Sequence, residues 1–576
     1  MLHSVRRSRS LFVACLLFAH SLPAQKTINV LTWHNDVFRS GQNLQESILT
    51  PANVNPIDFG KIFSYAVDGM IYAQPLYVQG LAISGKGTHN VVFVATENDS
   101  VYAFDADSAK SNPDPLWHVN FTKPPNVFPV ACLDNQKNCN VYPIIGVTGT
   151  PVISLGNKSL YVVARTEEVG STSQARYFEH LHVLDISTGA EKPGSPVIIC
   201  GGVAGHVCAF APYGPNQSTF DPEREMQRPA LLLMPNPLTA HEVLYVAFGN
   251  HRGWVLAYDS ETFALLAAFC TGPDLHNSKG SNGIWGSGGG IAGDAQGNLY
   301  ATTADGPFDA TQGGSNFGDT LLKLSLVRED PFVVPRFHFR VVDYFTPANY
   351  ICLQAQDLDL SSGSPVVLST QPGSHPDEVL VAGKASPVCD PNGGTINVVD
   401  RDNMGRVNGQ VQAVNGSAGG YFASGAYWDG PQGTYAYYAG ADPTALAPEE
   451  TALGDSLRLY RLQNGVFNPP SSVSQGPETF LNGATPAISA NGKQNGIVWL
   501  VERRDPFKIK PGRQPAFLHA YNATDVSQEL YSSETNSKRD AAGAATKFVV
   551  PTIVNGKVYV GTQTELDVYG RCPCPQ

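Results

Sequence analysis

Short apolar runs rich in Val, Ile, Leu, Tyr and Phe recur along the chain, separated by clusters of Gly, Asn, Asp and Ser. The pattern is clearest over residues 146–192, where GVTGTPVI is followed by SLYVVARTEE and then by HLHVLDISTGAEK. Each run is too short for a helix and is bounded by turn residues, so each predicts a strand. The third run closes on Asp185 and then Ser187-Thr188-Gly189, a turn signal. A sheet of such strands is apolar on both faces and needs copies of itself as neighbours.

The copies are present. VFVATENDSVYAFDADS (92–108) and LYVAFGNHRGWVLAYDSET (244–262) repeat the motif. So do LYATTADG (299–306) with LLKLSL (321–326), and VLVAGKAS (379–386) with GGTINVVDRDNMG (393–405). Weaker copies are TYAYYAGADP with LRLYRLQNG, GIVWLVERRD with FLHAYNATD, and KVYVGTQTELDVYG. The eight units begin near residues 71, 146, 228, 283, 357, 424, 480 and 547. This predicts an all-β, eight-bladed β-propeller of four-stranded antiparallel sheets. The last unit ends at Tyr569 without a fourth strand of its own. The run Phe59–Tyr65 is strand-like and belongs to no unit, so it is expected to complete the last blade and close the ring. The expected division is a signal peptide over 1–24, an N-terminal closing segment over 25–70, the propeller over 71–570 and a tail over 571–576.

The N-terminus sets the expected compartment. Arg6, Arg7 and Arg9 precede the apolar stretch LFVACLLFA (11–19), which is too short to span a bilayer, and Leu22-Pro23-Ala24 suits cleavage. A secreted or periplasmic location follows, in which disulfides are permitted. Nine cysteines then remain, an odd number that leaves at least one unpaired within the chain. Cys132 with Cys139, and Cys200 with Cys208, are spaced to close short loops. The net charge of −12, with no basic block, argues against nucleic acid and anionic membrane as partners. GGGIAG (288–293) fits Gly-x-Gly-x-x-Gly, but a strand follows it where a dinucleotide site needs a helix.

With the repeats and the opening segment in hand, the chain resembles the pyrroloquinoline-quinone-type propellers, the quinoprotein alcohol dehydrogenase-like group. The ending "LYALD-x-x-TG" at 181–189 and 255–262 is similar to that family's repeat, and Trp33 through Val54 resembles its opening. The resemblance implies pyrroloquinoline quinone and calcium as cofactors. GSNGIWGSGGG (280–290) is similar to the segment whose tryptophan lies flat beneath the quinone, which implies that role for Trp285. LYATTADGPFD (299–309) resembles a strand end that supplies a calcium ligand, and Asp305 stands at that place, a hard oxygen donor. AQDLDLSSGSPVVL (355–368) is similar to the segment holding the catalytic base, with Asp357 the best match and Asp359 the fallback. VLVAGKAS resembles a blade whose lysine, here Lys384, contacts the quinone oxygens.

Departures accompany these matches. Where the family takes a further glutamate ligand, this chain has Asn250 and His251. It lacks the family's adjacent cysteine pair, and residues 385–392 form an insertion after Lys384. Two readings therefore stay open. One is an exported oxidoreductase acting on an alcohol or sugar. The other is a non-catalytic propeller acting as a secreted binding or assembly module, with a small molecule or an extracellular partner.

Overall fold

A computed structural model describes residues 27–572, apart from 109–111, 133–140, 170–174, 204–206, 211–217, 274–280, 330–335, 385, 391–393, 418–421, 441–453, 469, 471, 474–479, 481–482 and 505–513. The expected signal peptide, the tail beyond Cys572 and Cys139 lie outside the described residues.

Eight sheets follow one another around a ring, and each contains at least four strands. We number the blades 1–8 in chain order. Their innermost strands are Leu76–Ile83, Val152–Ser154, Leu232–Met234, Ala292–Gly293, Val366–Val367, Ala426–Gly430, Ala487–Asn491 and Thr552–Val554. Within a blade, successive strands pair antiparallel and move outward. In blade 3, for instance, Val243–Phe248 pairs with Trp254–Asp259 from Val243↔Asp259 to Phe248↔Trp254. All six residues of Val243–Phe248 are buried, as a sheet covered on both faces requires.

Apolar clusters fill the wedges between neighbouring blades. One joins blades 3 and 4 through Tyr245, Val255, Leu299 and Leu322. Another joins blades 8, 1 and 2 through Tyr559, Leu566, Val92, Phe104, Leu160 and Leu184. The ring is fastened in the last blade, where Phe59–Ala66 pairs antiparallel with Glu565–Arg571 from Phe59↔Arg571 to Ala66↔Glu565. The closing strand inferred from the missing fourth strand is thus present, and it leaves the blade no open edge on that side.

The residues before the closing strand do something the repeat pattern did not suggest. They thread the axis and bond to seven of the innermost strands and, in blade 3, to Leu231 just before its innermost strand. Asn29 and Val30 pair with Val78 and Tyr77 of blade 1. The Leu31 carbonyl accepts from Ile153 N, Val37 from Gly293 N, Phe38 from Val367 N, Ser40 from Tyr427 N and Gly41 from Ile488 N. Arg39 Nη2 donates to Leu231 O at 3.0 Å in blade 3, and Asn43 Nδ2 to Ile553 O at 2.9 Å in blade 8. Arg39 is fully buried and also donates to Ile291 O, Thr32 Oγ1 and Trp33 O. A buried guanidinium is tolerated here because backbone carbonyls take up its donors. Trp33 stacks on His34 at 3.8 Å and abuts the loop leading into blade 4, where a Cβ on Gly289 would lie 2.7 Å from Trp33 Cη2. The glycine run 288–290 therefore answers to close packing over this plug and not to a phosphate.

Candidate functional site

Over the plug, the loops entering blades 4 and 5 are laced together. Ser361 Oγ donates to Gly283 O and Ser364 Oγ to Gly286 O, while Ala304 N donates to Gly283 O. Blade 4's second strand ends at Thr302, carrying Asp305 just beyond it, and a short turn after the helix Tyr350–Ala355 delivers Asp357 and Asp359. Carboxylate oxygens of Asp305, Asp357 and Asp359 all lie within 4.8 Å of one another, the one such convergence among the described residues. Asp305 and Asp359 are buried, whereas Asp357 is exposed and has a φ of 57°.

Lys384, at the end of blade 5's second strand, completes the group. Its Nζ lies 2.7 Å from Asp359 Oδ2 and donates to the Asp357 carbonyl at 3.2 Å. Asp305 N donates to Asp359 Oδ1. Burial opposes ionisation of Asp359, but Lys384 and the bonds from Asp305 outweigh it and hold this carboxyl below its ordinary range. Burial and then the charge of Asp359 push Asp305 the other way, well up. Asp319 stands behind them, fully buried, with Oδ1 accepting from Leu360 N at 3.0 Å and Oδ2 unpartnered. Asp319 was not singled out from the sequence; an acid next to Thr320 in an apolar strand lead-in carries no motif.

The donor set fits a divalent cation of the calcium class. It consists of hard carboxylate oxygens at one point, in excess over the single lysine that balances them. A cation held by Asp305, Asp357 and Asp359 would supply Lewis acidity toward a ligand hydroxyl. Asp359, the fallback in the sequence, is the carboxylate that both Asp305 and Lys384 contact. Asp357 stands at the solvent side of the group.

Trp285 lies on the same mouth, half-buried, but its ring is already engaged. The Arg228 guanidinium sits 4.7 Å from the Trp285 centroid and 4.6 Å from that of Phe548, between the two rings. The arginine thus already makes a cation–π contact with the ring to which the resemblance assigns the quinone floor. Asn250 and His251 also turn elsewhere: Asn250 Nδ2 donates to Arg224 O at 2.6 Å, and His251 Nδ1 lies 3.7 Å from Glu225. Neither joins the acidic group.

Of the expected insertion, residues 385, 391 and 392 lie outside the described residues, and Cys389 is covalently anchored. A disulfide joins Cys389 to Cys352 in the helix Tyr350–Ala355, so the segments flanking Asp357 and Lys384 are held to each other. The pairing Cys200–Cys208 expected from spacing is present, Cys132 is disulfide-bonded, and Cys270 is free and buried.

Two solved structures share this architecture. A quinohemoprotein alcohol dehydrogenase from Comamonas testosteroni superposes with a TM-score of 0.52 at 14% identity, covering 95% of this chain and 82% of that one. The quinohemoprotein alcohol dehydrogenase ADHIIG from Pseudomonas putida HK5 gives 0.51, again at 14% identity with 95% and 82% covered. At that identity the likeness concerns the fold alone, an eight-bladed propeller similar to those of these two dehydrogenases. No protein-family model and no curated sequence matches the chain.

Proposed function

We propose that this protein is an exported propeller that binds a divalent cation of the calcium class at Asp305, Asp357 and Asp359 and, through it, a hydroxylated ligand, acting as a binding module and not as a dehydrogenase. The convergence of three carboxylates on one point carries the cation. Arg228 against Trp285 supports binding over quinone chemistry, because the ring to which the resemblance assigns the quinone is already engaged by a guanidinium. Export is supported by the disulfides Cys200–Cys208 and Cys352–Cys389. Isothermal titration with calcium tests the reading. One ion per chain is expected, with uptake lost in Asp305→Ala and in Asp359→Asn. Absence of saturable uptake at millimolar calcium, or equal uptake by both variants, overturns it.

A second reading is favoured by one observation: Trp285, Asp305, Asp359 and Lys384 border a single mouth on a fold shared with two quinohemoprotein alcohol dehydrogenases. There the protein would oxidise an alcohol or sugar with pyrroloquinoline quinone after Arg228 swings aside. Dye reduction on adding the quinone, calcium and a primary alcohol or aldose would establish it over the first.

A further inference from the structure

A cavity lies beside the acidic group, on the blade 4 side of blade 5. It measures about 200 Å³. Its walls are unlike any other interblade wedge described above. Blade 5's third strand, Gly394–Asp400, pairs with Gln412–Ser417 through Thr395↔Asn415 and Asn397↔Ala413. Thr395, Asn397 and Val399 alternate onto one sheet face, and Val399 packs in the apolar cluster shared with Tyr300, Leu321 and Phe345 of blade 4. The same wedge thus starts apolar and becomes polar toward Lys384. In blade 3 the corresponding strand, Trp254–Asp259, keeps Trp254, Leu256 and Tyr258 on one face and Val255 and Ala257 on the other, all buried.

The polar end gathers Asn349, Asp390, Thr395, Asn397, Gln410 and Asn415 around the cavity. Asn397 is only 4% exposed, and Gln410 Oε1 is buried with no partner. Asn349 Nδ2 makes long bonds, 3.2 Å to Cys389 O and 3.4 Å to Asp390 Oδ1. Thr395 Oγ1 is 3.4 Å from Asp390 Oδ1. Burial of an unsatisfied amide is costly, so such a set persists where something polar completes it. Side-chain amides and a hydroxyl offer donors and acceptors together. Of the two charged residues in the lining, Lys384 is paired with Asp359, and burial raises the Asp390 carboxyl above its ordinary range, which favours its neutral form. The roof is held in place by Cys352–Cys389, with Cys389 itself in the lining, so little ordering is left to a ligand.

We infer that this cavity is a binding site for a small, neutral, polyhydroxylated molecule, of the size of a short polyol or a single sugar ring. At roughly 30 Å³ per water in the liquid, 200 Å³ holds several waters or one such molecule, and not a chain. The site stands apart from the proposed cation site. Lys384 lines the cavity, yet its ammonium is directed at Asp359.

Titration calorimetry on the full chain tests this, with glucose, mannitol and glycerol as probes and 1-butanol as the apolar control. Runs in calcium and in chelator separate it from the cation reading. Saturable binding of at least one polyhydroxylated probe is expected in both buffers. Asn397→Leu and, independently, Thr395→Val should each weaken it about tenfold by removing a buried hydrogen-bonding group. Melting should hold or rise in Asn397→Leu, because a buried amide is replaced by a hydrocarbon of similar size. Three outcomes overturn the inference: no saturable binding of any probe, butanol binding as tightly as the polyols, or full binding retained by both variants.

Discussion

The mouth of this propeller has two acidic sides, and they are built differently. On blades 1 to 3, Glu97, Glu179 and Glu225 are fully buried, and burial pushes each up to about 8. Each works as a fastener. Glu97 Oε2 accepts from Gly146 N at 2.7 Å and Thr148 Oγ1 at 3.0 Å, tying blade 1 to the strand lead of blade 2. Glu179 faces Arg165 at 3.4 Å, and Glu225 Oε1 accepts from Arg252 N at 3.1 Å. On blades 4 and 5 the carboxylates instead face one another, with one lysine among them and one of the three exposed. Buried acids spread over backbone donors hold a structure together. Acids gathered at one point repel, and that arrangement is relieved by a cation.

The largest expected effect comes from the acid that belongs to both descriptions. Asp359→Ala should abolish calcium uptake and cost about 3–5 kcal/mol, because Lys384 is left buried without its carboxylate. Urea unfolding and calorimetry on the same preparation read both losses. Glu97→Ala should sharpen the contrast from the other side, lowering unfolding free energy by about 3 kcal/mol through two orphaned donors, with calcium uptake unchanged. A fall in calcium affinity there would erase the distinction.

Proton competition gives a smaller effect. Asp305 holds its proton well above the ordinary carboxylate range and must release it to ligate. Calcium affinity should therefore rise with pH from about 5 to 8, approaching tenfold per unit if one proton leaves per ion, as titrations in several buffers would show. The smallest effect is on stability alone. A carboxyl raised in the folded state binds more protons there than when unfolded, so without calcium it subtracts stability as pH rises above the ordinary carboxylate range. Asp305→Asn should remove that slope and gain about 1 kcal/mol at neutral pH, measured as a raised melting temperature in chelator. A loss of stability would mean that the carboxylate is a fastener after all.

Much of the ring could be read along the chain, because a strand's burial is written in its own residues. Runs such as Leu244–Phe248 and Trp254–Tyr258 state directly that both faces are covered. The absent fourth strand after Tyr569 pointed back to Phe59–Tyr65. Asp305, Asp357, Asp359 and Lys384 were nameable because the segments that carry them resemble those of the quinoprotein propellers. The plug was not legible. Arg39 and Asn43 look like surface turn residues until the inner strands around the axis present their carbonyls and amides to the segment that carries them. Nor was Arg228, which lies in no recognisable motif and takes the face of Trp285 only through tertiary packing.

The sequence by itself determined the number of blades, their order and the strand that closes them, since hydrophobic periodicity and turn chemistry are local properties that repeat. Only the tertiary structure decided that the axis is plugged, that Asp359 pairs with Lys384, and that an arginine packs on Trp285. Those outcomes depend on distances between residues far apart in the chain, and no local pattern encodes which of several nearby charges will meet.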